Sequence, residues 1–96
     1  MLKMVESNKE KFDWASFKNN ENICVHCQTL EEAKEFCILM HNHGMKWRGG
    51  KSYAKDTKWN NYIKRTCYYG DGTFCDIDYA NKYNHTILKF SLLDFD

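Results

Sequence analysis

Apolar and polar positions follow two different periods in the first half of the chain. From Ile23 to residue 28, apolar side chains occupy every second position, the pattern of a strand with one buried face. Thr29 follows, with Glu32 three residues later, which is a capping box. From there the period changes to that of a helix, so we predict a strand over residues 23–28 and a helix over about residues 30–43.

The predicted helix has one apolar stripe and one polar face. Ala33, Phe36, Cys37 and Met40 recur at helical spacing and form the stripe expected to face the core. Gly44 follows the pattern and is the expected C-cap, because glycine tolerates the left-handed conformation that ends many helices. The stripe predicts that Phe36 and Met40 are among the most buried residues.

The second half of the chain reads as short strands separated by turns. Gly70-Asp71-Gly72 predicts a hairpin turn between strands at residues 66–69 and 73–79. A further strand is expected at 45–48 and a last one at 86–93, the latter with Leu88, Phe90 and Leu92 on its inner face.

Two short helical turns are also predicted. Asp56 or Thr57 caps one turn that carries Trp59, Tyr62 and Ile63 at helical spacing. Asp13 caps another, which runs toward residue 18. The turn at 59–63 lies between the second and third predicted strands.

These elements define an α+β fold, with one main helix packed on a mostly antiparallel sheet of four to five strands in the order β-α-β-β-β-β. Residues 1–11 are polar and unpatterned, which predicts a flexible N-terminal segment. Residues 12–96 then form a single domain, onto which Phe12, Trp14 and Phe17 anchor the start of the chain.

Length and composition limit the class of protein. A chain of 96 residues, 43% hydrophobic and 28% charged, supports one modest core. The mean hydropathy of −0.73 and the lack of a long apolar run indicate a non-membrane protein, expected in the cytoplasm. The five cysteines are expected to be reduced thiols, and no cofactor is predicted.

Charge is distributed unevenly along the chain. Residues 45–65 contain seven cations against Asp56 alone, a net charge of +6, although the whole chain carries only +1. Aromatic side chains are interleaved with the cations, which suits an acidic protein surface or the phosphates and bases of a nucleic acid or nucleotide. The alternative is a solvated loop whose aromatics turn inward. The candidate binding residues are Lys46, Trp47, Arg48, Lys51, Tyr53, Lys55, Lys58, Trp59, Tyr62, Lys64 and Arg65.

One set of cysteines and histidines resembles a zinc site. Cys24 and Cys27 followed by His41 and His43 have a suitable distance between the two pairs. The histidines, however, are closer together than zinc-finger histidines, and a flat strand points Cys24 and Cys27 to opposite faces. We therefore expect core cysteines and surface histidines, with a small zinc-stabilised module as an alternative.

Further arrangements could carry chemistry. Cys67 and Cys75 are equidistant from Asp71, so a symmetric loop places them opposite one another, as two buried thiols, a cross-strand disulfide or half of a metal site.

Asp76 and Asp78 share one face of a predicted strand and are interpreted as solvated, not as a catalytic carboxylate pair. Cys24 and His26 are neighbours in sequence only, whereas a Cys/His dyad is assembled in space. No catalytic residue is predicted, and the protein is not expected to be an enzyme.

Five segments carry a resemblance to a known group of proteins: residues 13–18, 23–27, 29–36, 43–47 and 66–68. In these segments the sequence resembles small accessory proteins of phages and prophages of low-G+C Gram-positive bacteria. The resemblance covers about residues 12–93. It implies a non-enzymatic protein that inhibits a host defence factor by occupying its surface, as anti-CRISPR proteins do. The implied partner is a CRISPR-type or other nucleic-acid-handling effector; a nucleic-acid or nucleotide binder using residues 45–65 is the alternative.

Overall fold

The computed structural model describes residues 9–95, which form a small α+β domain. Ten helices and strands occur in this range, together with two 3-10 turns at Ile63–Arg65 and Phe90–Leu92. In chain order they are β1 (Glu10–Lys11), α1 (Trp14–Asn19), β2 (Ile23–His26), α2 (Leu30–Asn42), α3 (Trp59–Tyr62), β3 (Thr66–Tyr69), β4 (Phe74–Asp76), α4 (Ile77–Lys82), β5 (Thr86–Lys89) and β6 (Leu93–Asp94).

Helix α2 confirms the strongest local prediction. Thr29 Oγ1 accepts a hydrogen bond from the Glu32 backbone N–H at 3.1 Å, and Glu32 Oε1 accepts one from the Gln28 N–H at 2.8 Å. Both bonds satisfy amides at the start of the helix. At the other end Gly44 adopts a φ of +78°, as a C-terminal glycine should. The predicted stripe is buried on the core side.

The main sheet has four strands in the order β4-β3-β2-β5. The β2–β3 and β3–β4 pairs are antiparallel, and β2–β5 is parallel. β1 and β6 make a separate parallel pair. A mixed sheet of four strands agrees in part with the predicted antiparallel sheet. The parallel pair departs from it because the chain crosses over between β2 and β5.

The predicted strand at 45–48 is wrong. The Trp47 N–H donates to the Lys51 carbonyl and the Arg48 N–H donates to the Gly72 carbonyl, both at 3.0 Å. These bonds close a local turn and tie it to the hairpin loop. The backbone groups of residues 45–48 are thereby used outside any sheet ladder.

Two other predicted strands are too long. β4 ends at Asp76, whose Oδ1 accepts a hydrogen bond from the Asp78 N–H at 2.9 Å and caps helix α4. β5 ends at Lys89 and gives way to a 3-10 turn. In that turn Phe90 is buried, but Leu92 is 55% exposed, so the predicted inner position of Leu92 is wrong.

Both faces of the sheet are covered. The larger core cluster, around Phe36, lies on one face with α2, and the smaller one packs against α4 on the other. Cys24 and Val25 point to opposite faces of β2 and are both fully buried. The expected half-exposed strand is therefore wrong, because α4 covers the face that the alternation assigned to solvent.

Both ends of the described range, 9–95, pack onto the domain. Residues 1–8 of the predicted flexible segment lie outside the described residues, whereas Glu10–Lys11 pair with β6. Asp13 caps α1 through its side chain, as predicted, and Phe12 and Phe17 are buried in the larger cluster. Within residues 9–95, no helix has the length and apolarity needed to cross a membrane.

Candidate functional site: a basic groove and a thiol cleft

The aromatic residues of segment 45–65 lie mainly in the core. Trp47, Tyr53 and Trp59 are 5%, 1% and 8% exposed, and Tyr62 is half-buried. The prediction that Trp47, Tyr53 and Trp59 offer binding surface is therefore corrected, because their rings complete the hydrophobic core. The cations between them remain at the surface, except the partly covered Lys58.

Trp47 is held in one orientation by contacts on several sides. Its Nε1 donates to the Asp56 carbonyl at 2.7 Å, and its ring lies 4.5 Å from Tyr53 and 5.5 Å from Phe74, between centroids. Lys58 Nζ is 5.8 Å from the Trp47 centroid, within range of a cation–π interaction. The ring thus forms a rigid base beneath Lys58.

Three of the seven cations converge on one depression of about 400 Å³, which we call the basic groove. Its charged walls are Arg48, Lys51 and Lys58, and its apolar lining comes from Trp47 and Phe74. Lys55 lines a different depression beside α2, together with Lys34. The groove therefore brings together part of the predicted binding set and leaves the rest elsewhere.

Ion pairs reduce the charge of this region only in part. Arg48 pairs with Asp71 at 3.2 Å, Lys58 with Asp56 at 3.3 Å and Arg65 with Asp76 at 3.1 Å. Including Asp71 and Asp76, the region keeps a net charge of +4. Such surface pairs contribute about 0–1 kcal/mol each. Within residues 9–95, Lys46, Lys51, Lys55 and Lys64 make no ion pair.

The turn after α3 is strained and exposed. Ile63 adopts a φ of +50° while 58% of its surface is exposed, an unusual conformation for a β-branched residue. Thr66 Oγ1 donates to the Ile63 carbonyl, and His26 Nε2 donates to the Lys64 carbonyl, both at 2.7 Å. His26 is thus a structural residue that fixes this turn.

The predicted helical turn is present at Trp59–Tyr62, but the predicted cap is wrong: Lys58, in a left-handed conformation, is the N-cap and makes no side-chain cap bond. Asp56 and Thr57 instead bond backbone amides two positions further on. Asp56 Oδ1 accepts from the Lys58 N–H at 2.9 Å, and Thr57 Oγ1 accepts from the Trp59 N–H at 3.2 Å. The first of these bonds is the main reason that the pKa of Asp56 is lowered. Asp56 consequently remains charged beside Lys58.

Tyr53 carries a buried hydroxyl without a hydrogen-bond partner among the described residues. An unpaired buried hydroxyl costs about 1–3 kcal/mol, so Tyr53→Phe is expected to raise the free energy of unfolding by about 1 kcal/mol. Tyr68→Phe is the matched control, since Tyr68 Oη donates to the Thr57 carbonyl at 2.6 Å and its loss should be destabilising. Urea unfolding measures both; a lower stability for Tyr53→Phe would contradict the expectation.

The four zinc candidates do not converge. Cys24 and Cys27 belong to different core clusters, as expected for residues on opposite faces of a strand. His41 Nδ1 lies 3.4 Å from Ser52 Oγ, and the His43 ring stacks on Trp14 at 3.9 Å. Across residues 9–95, no group of three or more His, Cys, Asp or Glu residues is arranged to hold a metal ion.

The hairpin places Cys67 directly opposite Cys75, as predicted. The Tyr69 N–H donates to the Thr73 carbonyl at 2.9 Å and closes the symmetric loop. Cys67 also contacts Cys24, so three thiols lie on the α4 side of the sheet. All five cysteines are free and buried.

Cys75 borders a second depression, of about 480 Å³, which we call the thiol cleft. Its Sγ donates to Tyr69 Oη at 3.3 Å, and Tyr69 Oη lies 2.7 Å from His85 Nδ1. Both partners also line the cleft. Asp76 lies at its edge, and with Asp78 it belongs to the start of α4, where the predicted shared strand face is replaced by a helix cap.

The environments of the thiols differ. A hydrogen bond with the Cys67 thiol is the main reason that the pKa of Cys75 is lowered to about 7, although burial raises it. Hydrogen bonds with Tyr69 and the Ala80 N–H lower this pKa by smaller amounts. Hydrogen bonding to Cys24 and Cys75 raises the pKa of Cys67. Burial raises the pKa of Cys37, in the other cluster, to about 12. Cys75 is therefore the most acidic of these three thiols.

No protein-family model, curated protein or solved structure matches the chain. The two sites are defined by their geometry alone. Sequence signals existed for the cations of the groove and for the Cys67–Cys75 pair. None pointed to Tyr69 or His85, because their contact depends on the position of the loop between α4 and β5.

Proposed function

We propose that the protein acts by binding a partner protein through the basic groove, and that the partner is a host defence factor whose surface it occupies. The convergence of Arg48, Lys51 and Lys58 on one groove with an apolar lining carries the proposal. The defence role and the phage-type setting rest on the resemblance of residues 12–93.

The chemistry of the groove defines what it would bind. Carboxylates of the partner would pair with Lys51 and Lys58, and an apolar side chain between them would contact Phe74. Arg48 and Lys58 already pair with Asp71 and Asp56, so Lys51 contributes the unpaired charge of the groove. We therefore expect the partner to present an acidic loop with one apolar residue at its tip. Its carboxylates would match the cations of the groove and its apolar residue would match Phe74. Such complementary charge sets the orientation and the association rate of a complex.

Nucleic acid fits the groove less well. Single-stranded nucleic acids use exposed aromatic faces for stacking, whereas the ring of Trp47 is almost fully covered. The neighbouring thiol cleft also presents Glu21, Asp71 and Asp76, which repel a phosphate backbone. A nucleic-acid or nucleotide ligand is therefore the competing outcome of the test.

The double variant Lys51→Glu/Lys58→Glu is expected to weaken partner binding at least tenfold, about 1.4 kcal/mol, because it reverses both side walls of the groove. Lys82→Glu/Lys89→Glu is the matched control, with the same change of charge on exposed lysines of α4 and β5, and should leave affinity unchanged. Partner candidates recovered from lysate of a low-G+C Gram-positive bacterium are purified, and their affinities for all three proteins are measured by calorimetry.

Salt dependence separates the two ligand classes. Binding to nucleic acid should weaken steeply with salt, and the slope should fall by about one for each phosphate-contacting cation removed. Binding to a protein should show a weaker salt effect. Tight gel-shift binding to random DNA, with no purified host protein bound, would reject the proposed function in favour of the nucleic-acid alternative.

A further inference from the structure

We propose that Cys75 is a reactive thiol that small hydroperoxides oxidise in the thiol cleft, and that Cys67 then resolves the oxidised sulfur as a disulfide. The site adds a chemical activity that does not depend on the basic groove. Three observations carry it: Cys75 borders the cleft, Tyr69 and His85 continue from its sulfur as a hydrogen-bonded chain, and Cys67 lies directly opposite.

The chain from Cys75 to His85 provides a route for a proton. The thiol donates to Tyr69 Oη, and we assign to His85 the tautomer whose Nδ1 accepts in turn from the Tyr69 hydroxyl. When the Cys75 proton moves to Tyr69 Oη and the Tyr69 proton moves to His85 Nδ1, a thiolate remains on Cys75 and an imidazolium on His85. The thiolate is the nucleophilic form of cysteine, so the chain prepares Cys75 for attack.

The cleft favours a small neutral electrophile. Three carboxylates, from Glu21, Asp71 and Asp76, border it and disfavour anionic reagents. The Asn22 side-chain amide can donate a hydrogen bond to a hydroperoxide oxygen, whereas the Thr73 hydroxyl already donates to Asp71. Acyl transfer is less suited to this arrangement, because the imidazole is separated from the sulfur by a phenol and the adjacent group is a second thiol.

The first step oxidises the sulfur of Cys75 by two electrons. The thiolate attacks one peroxide oxygen, an S–O bond forms and the O–O bond breaks. The departing oxygen takes the proton that returns from His85 through Tyr69, and it leaves as water or an alcohol. Cys75 is then a sulfenic acid.

The second step forms the disulfide. The sulfur of Cys67 attacks the sulfenic sulfur, an S–S bond forms and the S–O bond breaks. Hydroxide leaves and combines with the Cys67 proton as water. Directly opposed residues of an antiparallel pair have Cα atoms about 4.5–5.5 Å apart, within the usual range for a disulfide. A dithiol such as dithiothreitol supplies the two electrons that restore both thiols.

Several ionisable groups face Cys75. Strands β2 and β3 contribute Cys24, Cys67 and Tyr69. Strand β4 contributes Asp76, which pairs with Arg65. Helix α4 contributes Tyr79, and the loop after it contributes His85. Asp76 opposes the thiolate, whereas the hydrogen bonds from Cys67, Tyr69 and Ala80 favour it. Since a lowered pKa makes the thiolate present at and above that pH, oxidation should accelerate as pH rises and level off above about 7.

The test maps oxidation sites on the reduced full chain. The protein is treated with hydrogen peroxide, sulfenic acid is trapped with dimedone, and labelled or cross-linked peptides are identified by mass spectrometry. Cys75 should react at least about tenfold faster than Cys37, because thiolate fraction and access both favour it. The Cys67 and Cys75 peptides should become linked by a disulfide that dithiothreitol reverses.

Variants then separate the roles. Cys67→Ser should accumulate trapped sulfenic acid on Cys75, and Cys75→Ser should abolish both products, whereas Cys37→Ser should change neither. Tyr69→Phe keeps the ring but removes the relay, so the pH profile should move upward and the rate at pH 7 should fall severalfold, because a smaller fraction of Cys75 is then thiolate. Circular-dichroism melts verify that each variant is folded.

The mapping on the unaltered protein decides the proposal even if a variant fails to fold. Oxidation of Cys75 no faster than that of Cys37, or only after urea is added, would overturn the reactive-thiol assignment. A disulfide from Cys75 to Cys24 in place of Cys67 would overturn the assigned resolving thiol. Partner binding is measured separately with the groove variants, so the two proposals fail independently.

Discussion

Phe36→Ala is expected to lower the free energy of unfolding by about 3–5 kcal/mol, enough to unfold a small domain of marginal stability. Phe36 is fully buried at the centre of the larger core cluster. The ring centroids of six other aromatic side chains lie 5.7–6.0 Å from the Phe36 centroid: Phe12, Trp14, Phe17, Tyr68, Phe90 and Phe95. Removing the ring leaves a cavity lined by elements from both ends of the chain, which cannot all move in to fill it.

Urea and thermal unfolding measure this loss. Ile38→Ala is the control on the same helix, because Ile38 is 44% exposed and its truncation should cost less than about 1 kcal/mol. If Phe36→Ala melted like the parent protein, the packing of α2 against the sheet would be refuted.

Gly70→Ala should destabilise the domain by about 3 kcal/mol or more, although it adds one methyl group. A Cβ at this position would meet backbone atoms of α1, with Phe17 C at 2.7 Å and Lys18 Cα at 2.9 Å, and it would lie closer still to the Phe17 carbonyl oxygen. Backbone atoms cannot rotate away as a side chain can. Relief of the clash therefore requires α1 to separate from the hairpin.

Gly49→Ala provides the matched control. A Cβ at Gly49 has open space around it, so this variant should change the free energy of unfolding by no more than about 0.5 kcal/mol. Equal midpoints for the two variants in urea would contradict the close approach of Gly70 to α1. A selective loss at Gly70 would show that the hairpin and the N-terminal helix form one packed unit.

Elements that depend on neighbouring residues could be predicted from the sequence. The bounds of α2 follow from the cap at Thr29, the apolar stripe and Gly44, all of which act within a few residues of the helix. The hairpin and the opposition of Cys67 and Cys75 follow from the turn residues around Asp71. The turn beginning at Trp59 follows from the helical spacing of Trp59 and Tyr62, whereas its N-cap, Lys58, could not be predicted from residue type.

Elements that depend on distant segments could not be predicted in this way. Residues 86–89 look like any apolar strand, and only the crossover makes them pair in parallel with β2. Residues 77–82 have strand-like apolar spacing, but the cap at Asp76 and the buried contact of Ala80 make them helical. This helix covers the Cys24 face of β2. Because residues 77–82 are helical and not a continuation of β4, that face is buried and not exposed to solvent.

The same division holds for the two sites. Sequence alone established that residues 45–65 carry excess positive charge, because charge is a property of residue type. It left open whether the interleaved aromatics face a ligand or the core, and the tertiary structure decided that Trp47, Tyr53 and Trp59 belong to the core. The contact of Cys75 with Tyr69 and His85 joins three segments through the sheet and the loop after α4. Local preferences thus determined the helix and the hairpin, whereas burial and the assembly of the thiol cleft required the packing of segments far apart in the chain.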